Sequence, residues 1–215
     1  MISVNTDYFC RVVIGLIQKV FNTRLHIRGN YMKKIALATL LALAVGSASA
    51  VEVRLEGQDA NGKNGTASQN VVEFSVKESI NKNFAGDVTF KQYRTDGTHA
   101  LANRVEAGVT ASNTYGILTP YTRVAVGEKY SSGATGYGYW SAEPGLGVAL
   151  GSGLTASLGW RYQNAFSDSQ NDLTRTWRAK VGYDVTSKDN VYVGFDQIRG
   201  DSEQNVAKVG YIHRF

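Results

Sequence analysis

A chain of 215 residues is long enough for one ordinary domain or one small barrel. Its formal net charge of +5 suggests an anionic partner, but the charge is unevenly distributed along the chain. Six of the 23 Lys and Arg residues and one of the 18 Asp and Glu residues lie in residues 1–50, which leaves 17 of each kind after position 50. The neutral remainder gives no indication of a polyanionic partner, and this excludes nucleic acid from the expected partners.

Residues 32–50 have the features of a secretory signal peptide: a Met-Lys-Lys start, an apolar run at 35–45 and a final Ala-Ser-Ala. The apolar run is shorter than the roughly 20 residues that a membrane-spanning helix needs. We therefore expect export through a Sec-type pathway, with cleavage after Ala50 and Val51 as the first mature residue. Residues 1–31 are interpreted as an upstream extension outside the native product, or alternatively as part of a long leader that is removed with the signal.

From residue 51 to residue 215 the chain alternates between apolar and polar side chains with a period of two, which is typical of β-strands. In the segment 173–186, Trp177 and Val181 fall on one face, whereas Arg178 and Lys180 fall on the other. Clusters of Gly, Ser, Asn and Asp separate such segments and indicate turns. The alternation predicts ten strands, at 51–58, 71–80, 87–95, 101–111, 117–129, 136–150, 154–166, 173–186, 191–199 and 205–215.

The predicted fold is all-β, a closed antiparallel transmembrane barrel of about ten strands formed by residues 51–215. Eight strands is the alternative if the first hairpin is irregular. An even number of strands brings both termini to the same rim and allows the sheet to close. Closure is compulsory in lipid, because an unpaired edge would leave N–H and C=O groups without water.

The aromatic residues favour a membrane barrel over a soluble barrel or sandwich, which alternation alone does not distinguish. A soluble barrel would place the apolar face inside. Here aromatic residues lie on apolar faces toward both ends of the strands, as expected at two membrane–water interfaces. The sequence therefore predicts lipid and lipopolysaccharide of a Gram-negative outer membrane as the surroundings. The predicted interface residues are Trp140, Trp160, Tyr162, Trp177, Tyr183, Tyr211 and Phe215.

The C-terminal segment 209–215 closes a strand on a terminal aromatic residue, Phe215. It resembles the last strand of Gram-negative outer-membrane barrels, in which a final Phe is read by the barrel-assembly machinery. The resemblance implies the same partner here and, with the signal and the hairpin rhythm, covers essentially all of residues 51–215. His213 departs from the pattern, because that position is usually aromatic or aliphatic in this class.

If the apolar face meets lipid, the other face lines the lumen, and its basic candidates slightly outnumber its acidic ones. Charges in a confined interior must be paired or hydrated, because isolated ones are costly. The predicted lining residues are Arg54, Glu73, Lys77, Lys91, Arg104, Glu106, Arg123, Glu143, Arg161, Arg178, Lys180, Asp184, Asp196 and Lys208. Glycines on the same face remove side-chain volume and predict a narrow, hydrated passage, although they can equally relieve strand curvature.

The leading functional hypothesis is a narrow, slightly cationic pore for the passive passage of small solutes. About eight strands leave room only for side chains, so ten strands lie near the filled end of the range. The lumenal arginines are similar in kind to those of small sugar-acid porins, but those barrels are usually larger. The alternative is a sealed structural or interaction barrel that contains an interior ion-pair network.

An outer-membrane hydrolase is the third possibility and the least supported, so the chain is not expected to be an enzyme. Such enzymes need a His with Asp or Ser near the outer rim. Asp96 and His99 share one short loop, and His213 lies at the opposite end. No metal, nucleotide or other cofactor is expected, although the acidic loop segments 168–172 and 201–203 could weakly hold a divalent cation.

Overall fold

A computed structural model of the chain describes residues 51–97, 100–131, 135–170 and 172–215. The predicted signal peptide, its cleavage site at Ala50 and the upstream extension lie outside the described residues. In the described part of the chain, no helix is long and apolar enough to cross a membrane.

Ten antiparallel strands of 11 to 15 residues account for most of the described chain, and each is long enough to cross a bilayer. The prediction of an all-β fold with ten strands is confirmed, and the eight-strand alternative is wrong. The strands are β1 (Val51–Gly62), β2 (Gln69–Ser79), β3 (Phe84–Thr95), β4 (Leu101–Ser112), β5 (Leu118–Ser131), β6 (Tyr137–Gly151), β7 (Leu154–Ala165), β8 (Thr174–Asp184), β9 (Asp189–Gly200) and β10 (Gln204–Arg214).

The sheet closes because the first strand pairs with the last. β1 and β10 are antiparallel partners from Glu52↔Arg214 to Gly62↔Gln204, and every other strand pairs with its neighbours in sequence. The Phe215 N–H also donates to the Val51 carbonyl oxygen at 3.0 Å. Val51 and Phe215 therefore lie at the same end of the barrel, which we call the terminal rim, and the other end is the distal rim.

The first hairpin is longer than the sequence predicted. The expected strand ends at residue 58, whereas β1 continues to Gly62 and the connection covers only residues 63–68. Asn64 and Gly65 have φ angles of 50° and 84°, which allows the chain to reverse tightly. The polar residues at 59–62, which resemble a loop in the sequence, continue the hydrogen-bonded pairing of β1 near the distal rim. Polar side chains that point outward at this level remain in water.

The tightest connection joins β6 and β7 at Ser152 and Gly153. Both have positive φ angles, 50° and 79°, as a two-residue hairpin of type I′ requires. The four connections at the terminal rim are residues 80–83, 113–117, 152–153 and 185–188. Those at the distal rim are residues 63–68, 96–100, 132–136, 166–173 and 201–203, so this rim carries the longest connection.

The two faces of the barrel have opposite polarity. Every strand exposes at least one large apolar side chain on the outside, such as Val72, Leu158 and Val193, which are 61%, 52% and 61% exposed. Buried side chains inside include Glu106, Arg161 and many other polar and charged groups. A soluble barrel would have the reverse arrangement, whereas a transmembrane barrel requires this one.

Candidate functional site in the barrel interior

The inner face carries the charged residues that the sequence assigned to the lumen. Period-two alternation along each strand places all fourteen of them inward, at positions that are buried or partly buried. The structure brings most of them together into three clusters, each named here after one carboxylate. The clusters are held by ion pairs between different strands, so they depend on closure of the barrel.

The Glu106 cluster joins four strands. The Glu106 carboxylate accepts hydrogen bonds from Arg123 and Arg161, each at 2.5 Å, from the Tyr139 hydroxyl at 2.7 Å and from Arg104. The side chains of Glu106 and Arg161 are only 4% and 8% exposed. Three guanidinium groups thus share one carboxylate, which gives the cluster an excess of positive charge.

A second carboxylate, Asp87 of β3, reduces this excess. Arg123 donates to it through two nitrogens, from Nη2 to Oδ2 at 2.5 Å and from Nε to Oδ1 at 2.9 Å. Such a two-pronged contact fixes the guanidinium plane as well as its position. Arg123 is therefore clamped between Asp87 and Glu106.

The Glu143 cluster lies beside it and is balanced in charge. Arg178 donates to Glu143 at 2.6 Å and to its register partner Asp196 at 3.3 Å. Lys208 Nζ lies 2.7 Å from the other oxygen of Asp196. Two cations and two carboxylates therefore form a chain across β6, β8, β9 and β10.

The Glu73 cluster lies on the β1–β2–β3 wall and extends to β9. Lys91 Nζ contacts Glu73 at 2.5 Å, and Gln58 donates to the same carboxylate at 3.1 Å. Gln58 also donates to Glu56, which in turn accepts a 2.6 Å hydrogen bond from the Tyr192 hydroxyl. Glu56 is thus held by neutral donors.

Lys77 and Lys180 are the predicted lining cations that make no ion pair within 4.0 Å to any described residue. Lys180 Nζ instead lies 5.0 Å from the centroid of the Tyr192 ring, a cation–π arrangement. Asp184, the remaining predicted carboxylate, pairs with Arg214 at 3.1 Å near the terminal rim. Arg54 contacts Glu52 at 3.4 Å.

Sequence reasoning missed an ion pair at the distal end of the lumen. Lys129 of β5 contacts Asp172, which also accepts from Gln163 Nε2 at 2.7 Å. Asp172 belongs to the connection after β7, yet its side chain is only 5% exposed because it turns into the barrel. The alternation along β5 places Lys129 on the lumenal face, so the sequence could have predicted that this lysine points inward. The sequence around Asp172 contains no signal that this loop side chain turns into the barrel.

The glycine hypothesis needs a correction. Lumenal glycines were expected to leave space, but the space at several of them is filled from the neighbouring strand. A Cβ atom at Gly127 would overlap Tyr139, one at Gly145 would overlap Tyr121, and one at Gly108 would overlap Arg123. Glycine and a large side chain therefore form complementary pairs, and these glycines do not widen the lumen.

The outer face carries the seven predicted interface aromatics. The rings of Trp140 and Tyr162 lie 5.3 Å apart and those of Trp160 and Tyr162 lie 6.3 Å apart, while Trp160 and Trp177 are direct register partners. These four form one patch on β6, β7 and β8 toward the distal rim. Toward the terminal rim, the structure places Tyr183, Tyr211 and Phe215 with exposures of 51%, 41% and 69%.

The histidines do not form a recognisable catalytic arrangement in the described residues. His99 lies outside them. His213 Nδ1 contacts Asp189 at 2.8 Å at the terminal rim, and the Tyr211 hydroxyl donates to the same aspartate at 2.5 Å, so Asp189 satisfies polar groups on the outer face. Among the described residues no group of three or more His, Cys, Asp or Glu side chains is placed to hold a metal ion.

An apolar exposed exterior, a charged buried interior and a closed ten-strand sheet together define a small outer-membrane β-barrel of porin-like architecture. No family model matches the sequence, and the comparison with curated proteins found no match. Solved structures do share the fold. An outer membrane channel from Pseudomonas putida F1 is similar with a TM-score of 0.54 at 8% identity, over 78% of this chain and 96% of that one.

Two further solved barrels are similar at lower TM-scores. The KdgM porin has a TM-score of 0.43 at 12% identity, over 77% of this chain and 99% of its own. The translocator domain of the autotransporter NalP from Neisseria meningitidis has a TM-score of 0.48 at 8% identity, over 86% and 98%. The likeness to the Pseudomonas putida channel, at 8% identity, shows the fold alone, and function has to be argued from the interior.

Proposed function

We propose that the barrel is a passive, non-catalytic pore, with a narrow and slightly cationic passage that admits small solutes and favours anions. The observation that carries this proposal is the Glu106 cluster, where three arginines meet two carboxylates, Glu106 and Asp87, and leave an excess of positive charge inside the lumen. Lys77 and Lys180 add positive charge without an ion-pair partner among the described residues. A confined passage of one dominant sign concentrates counter-ions and repels ions of its own sign.

The Glu106 cluster is the proposed constriction. Arg104, Glu106 and Arg161 are buried there together with Tyr139, and we expect this packing to block a solute in the observed arrangement. The contacts are hydrogen bonds and ion pairs, which a permeating anion can replace by accepting from the same guanidinium groups. Passage then requires binding that is favourable enough for entry and weak enough for release.

A sealed barrel is the second candidate, and the same burial favours it. The Glu143 cluster is a balanced chain of two cations and two carboxylates, and the interior tyrosines fill the spaces opposite the glycines. A ten-strand barrel is close to the size at which side chains fill the interior completely. The two candidates differ in whether the constriction ever opens.

Planar-bilayer recording of the refolded barrel separates them. The pore predicts small, discrete conductance steps and a reversal potential in a KCl gradient that indicates preference for chloride. Arg161→Ala should increase the step size because it removes a buried side chain from the constriction, whereas Lys82→Ala, in an exposed turn, should not change it. Silence over many insertions of protein shown to be folded, by gel migration that changes on boiling, would establish the sealed barrel instead.

A further inference from the structure

Two arginines lie side by side on the outer face of the barrel near the distal rim. Arg175 of β8 and Arg199 of β9 are direct register partners, and the alternation of both strands points them outward. Directly opposed residues of antiparallel strands have Cβ atoms about 4.5–5.5 Å apart, so like charges at these positions repel each other. The position therefore favours a shared anion.

No described carboxylate neutralises this pair within ion-pair distance. The connection after β9 is acidic, but its carboxylates bind elsewhere: Asp201 accepts from the Leu173 N–H at 2.7 Å, and Glu203 accepts from Asn64 Nδ2 at 2.6 Å. The Arg199 Nη1 group donates a hydrogen bond to the Ile198 carbonyl oxygen at 2.8 Å. The other N–H groups of this guanidinium are available to bind a ligand.

The aromatic patch fixes the level of the arginine pair relative to the membrane. Tyr162 is the register partner of Arg175 on β7, and the Trp160–Trp177 pair lies two residue pairs closer to the middle of the strands. Trp and Tyr mark the boundary between acyl chains and polar headgroups. Arg175 and Arg199 therefore lie at the level of the headgroups, where arginine can extend its charged end to water.

The lengths of the connections indicate which leaflet this is. Outer-membrane barrels have short periplasmic turns and longer extracellular loops, and the longest connection of this chain, residues 166–173, is at the distal rim immediately before β8. The arginine pair then faces the outer leaflet, whose lipid is lipopolysaccharide with a phosphorylated glucosamine headgroup.

We propose that Arg175 and Arg199 together bind a phosphate group of the lipopolysaccharide headgroup from the outer face of the barrel. Two guanidinium planes can each donate two hydrogen bonds to one phosphate, which removes the repulsion between them. The site lies on the outer face and not in the lumen, so its test does not depend on the proposed pore.

Binding of diphosphorylated lipid A to the refolded full barrel in detergent tests the site, with native mass spectrometry as the readout. The Arg175→Gln/Arg199→Gln variant should lose about tenfold in affinity, the loss expected for removal of charge-assisted hydrogen bonds. The Arg175→Lys/Arg199→Lys variant should retain part of the affinity. The control Lys82→Gln/Lys188→Gln, which removes two charges at the terminal rim, should bind as the wild type does.

Three outcomes would overturn the proposal. They are unchanged lipid A binding in the arginine variant, an equal loss in the terminal-rim control, and complete displacement of lipid A by inorganic phosphate at the same concentration, which would indicate a site for free phosphate. Channel conductance of the arginine variant should equal that of the wild type. A barrel that binds lipid A without conducting would overturn the pore and leave this site intact.

Discussion

The Tyr139 ring lies directly over Gly127, its register partner across β5 and β6, and Tyr139 is completely buried inside the barrel. Its hydroxyl donates to Glu106 and accepts from Arg104, so the same side chain fills the space above the glycine and orients the charged constriction. Tyr192 has the same relationship to Gly210 across β9 and β10. Cross-strand contacts between a glycine and an aromatic residue thus build the interior.

Gly127→Ala should destabilise the barrel. An added Cβ would overlap the Tyr139 phenol and the Val105 carbonyl oxygen, and the ring cannot move without disturbing Glu106. Overpacking of this kind costs about 1–3 kcal/mol, measurable by urea unfolding of the refolded barrel in vesicles. Gly147→Ala is the matched control, because its Cβ would meet its nearest neighbour at an ordinary 3.5 Å. Equal stability of the two variants would contradict the packing argument.

Glu106→Gln should be among the most destabilising substitutions in the lumen. It leaves Arg104, Arg123 and Arg161 without their shared carboxylate, and loss of one partner from a buried ion pair costs about 3–5 kcal/mol. Urea unfolding in vesicles measures the loss, with Asp168→Asn in an exposed connection as the control. Addition of Arg161→Gln to Glu106→Gln should recover part of the stability, since one buried cation fewer is unpaired. Unfolding of Glu106→Gln at the wild-type urea concentration would show that this carboxylate does not stabilise the barrel.

Val181→Arg and Lys180→Gln compare the two faces of one strand. Val181 is 46% exposed on the outer face of the barrel. A charge on the lipid face of a membrane barrel costs up to about 2–4 kcal/mol depending on depth. Lys180 faces the lumen and makes no described ion pair, so its neutralisation should cost less. The free energies of unfolding in vesicles give the ranking, and the reverse order would contradict the assignment of the faces.

Lys180→Gln should also reduce the anion preference of the proposed pore. The substitution removes a lumenal lysine that makes no ion pair with a described carboxylate, and the potential inside the passage should fall accordingly. The reversal potential in a KCl gradient measures this change. Lys188→Gln, in an exposed turn at the terminal rim, provides the control. An unchanged reversal potential in the Lys180 variant would place this lysine outside the ion path.

If the barrel-assembly machinery recognises Phe215, as proposed, loss of this side chain should impair assembly of the barrel in cells but not its refolding in detergent. Phe215→Ala should lower the amount of barrel in the outer membrane several-fold, while refolding of the purified variant in detergent proceeds normally because the side chain is 69% exposed at the end of β10. Phe166→Ala, another exposed outer aromatic, is the control. A variant that also fails to refold in detergent would indicate a structural role for Phe215 instead.

The sequence by itself determined the strand number, the two faces and the location in the outer membrane. Alternation with period two is a local property, and it assigned residues such as Val181 and Lys180 to opposite faces without knowledge of the partner strands. The end of β1 was predicted less well, because Asp59 and Asn61 resemble loop residues although they extend the ladder beyond the membrane.

Only the tertiary structure decided how the interior is filled. Arg161 and Glu106 are 55 positions apart and meet through closure of the barrel, and Asp172 reaches Lys129 from a connection that carries no local signal of turning inward. From the sequence alone, the glycines opposite Tyr139 and Tyr192 are equally consistent with empty space in the lumen. Pairing across strands fixes which side chain occupies that space, and a period within one strand contains no information about its neighbour.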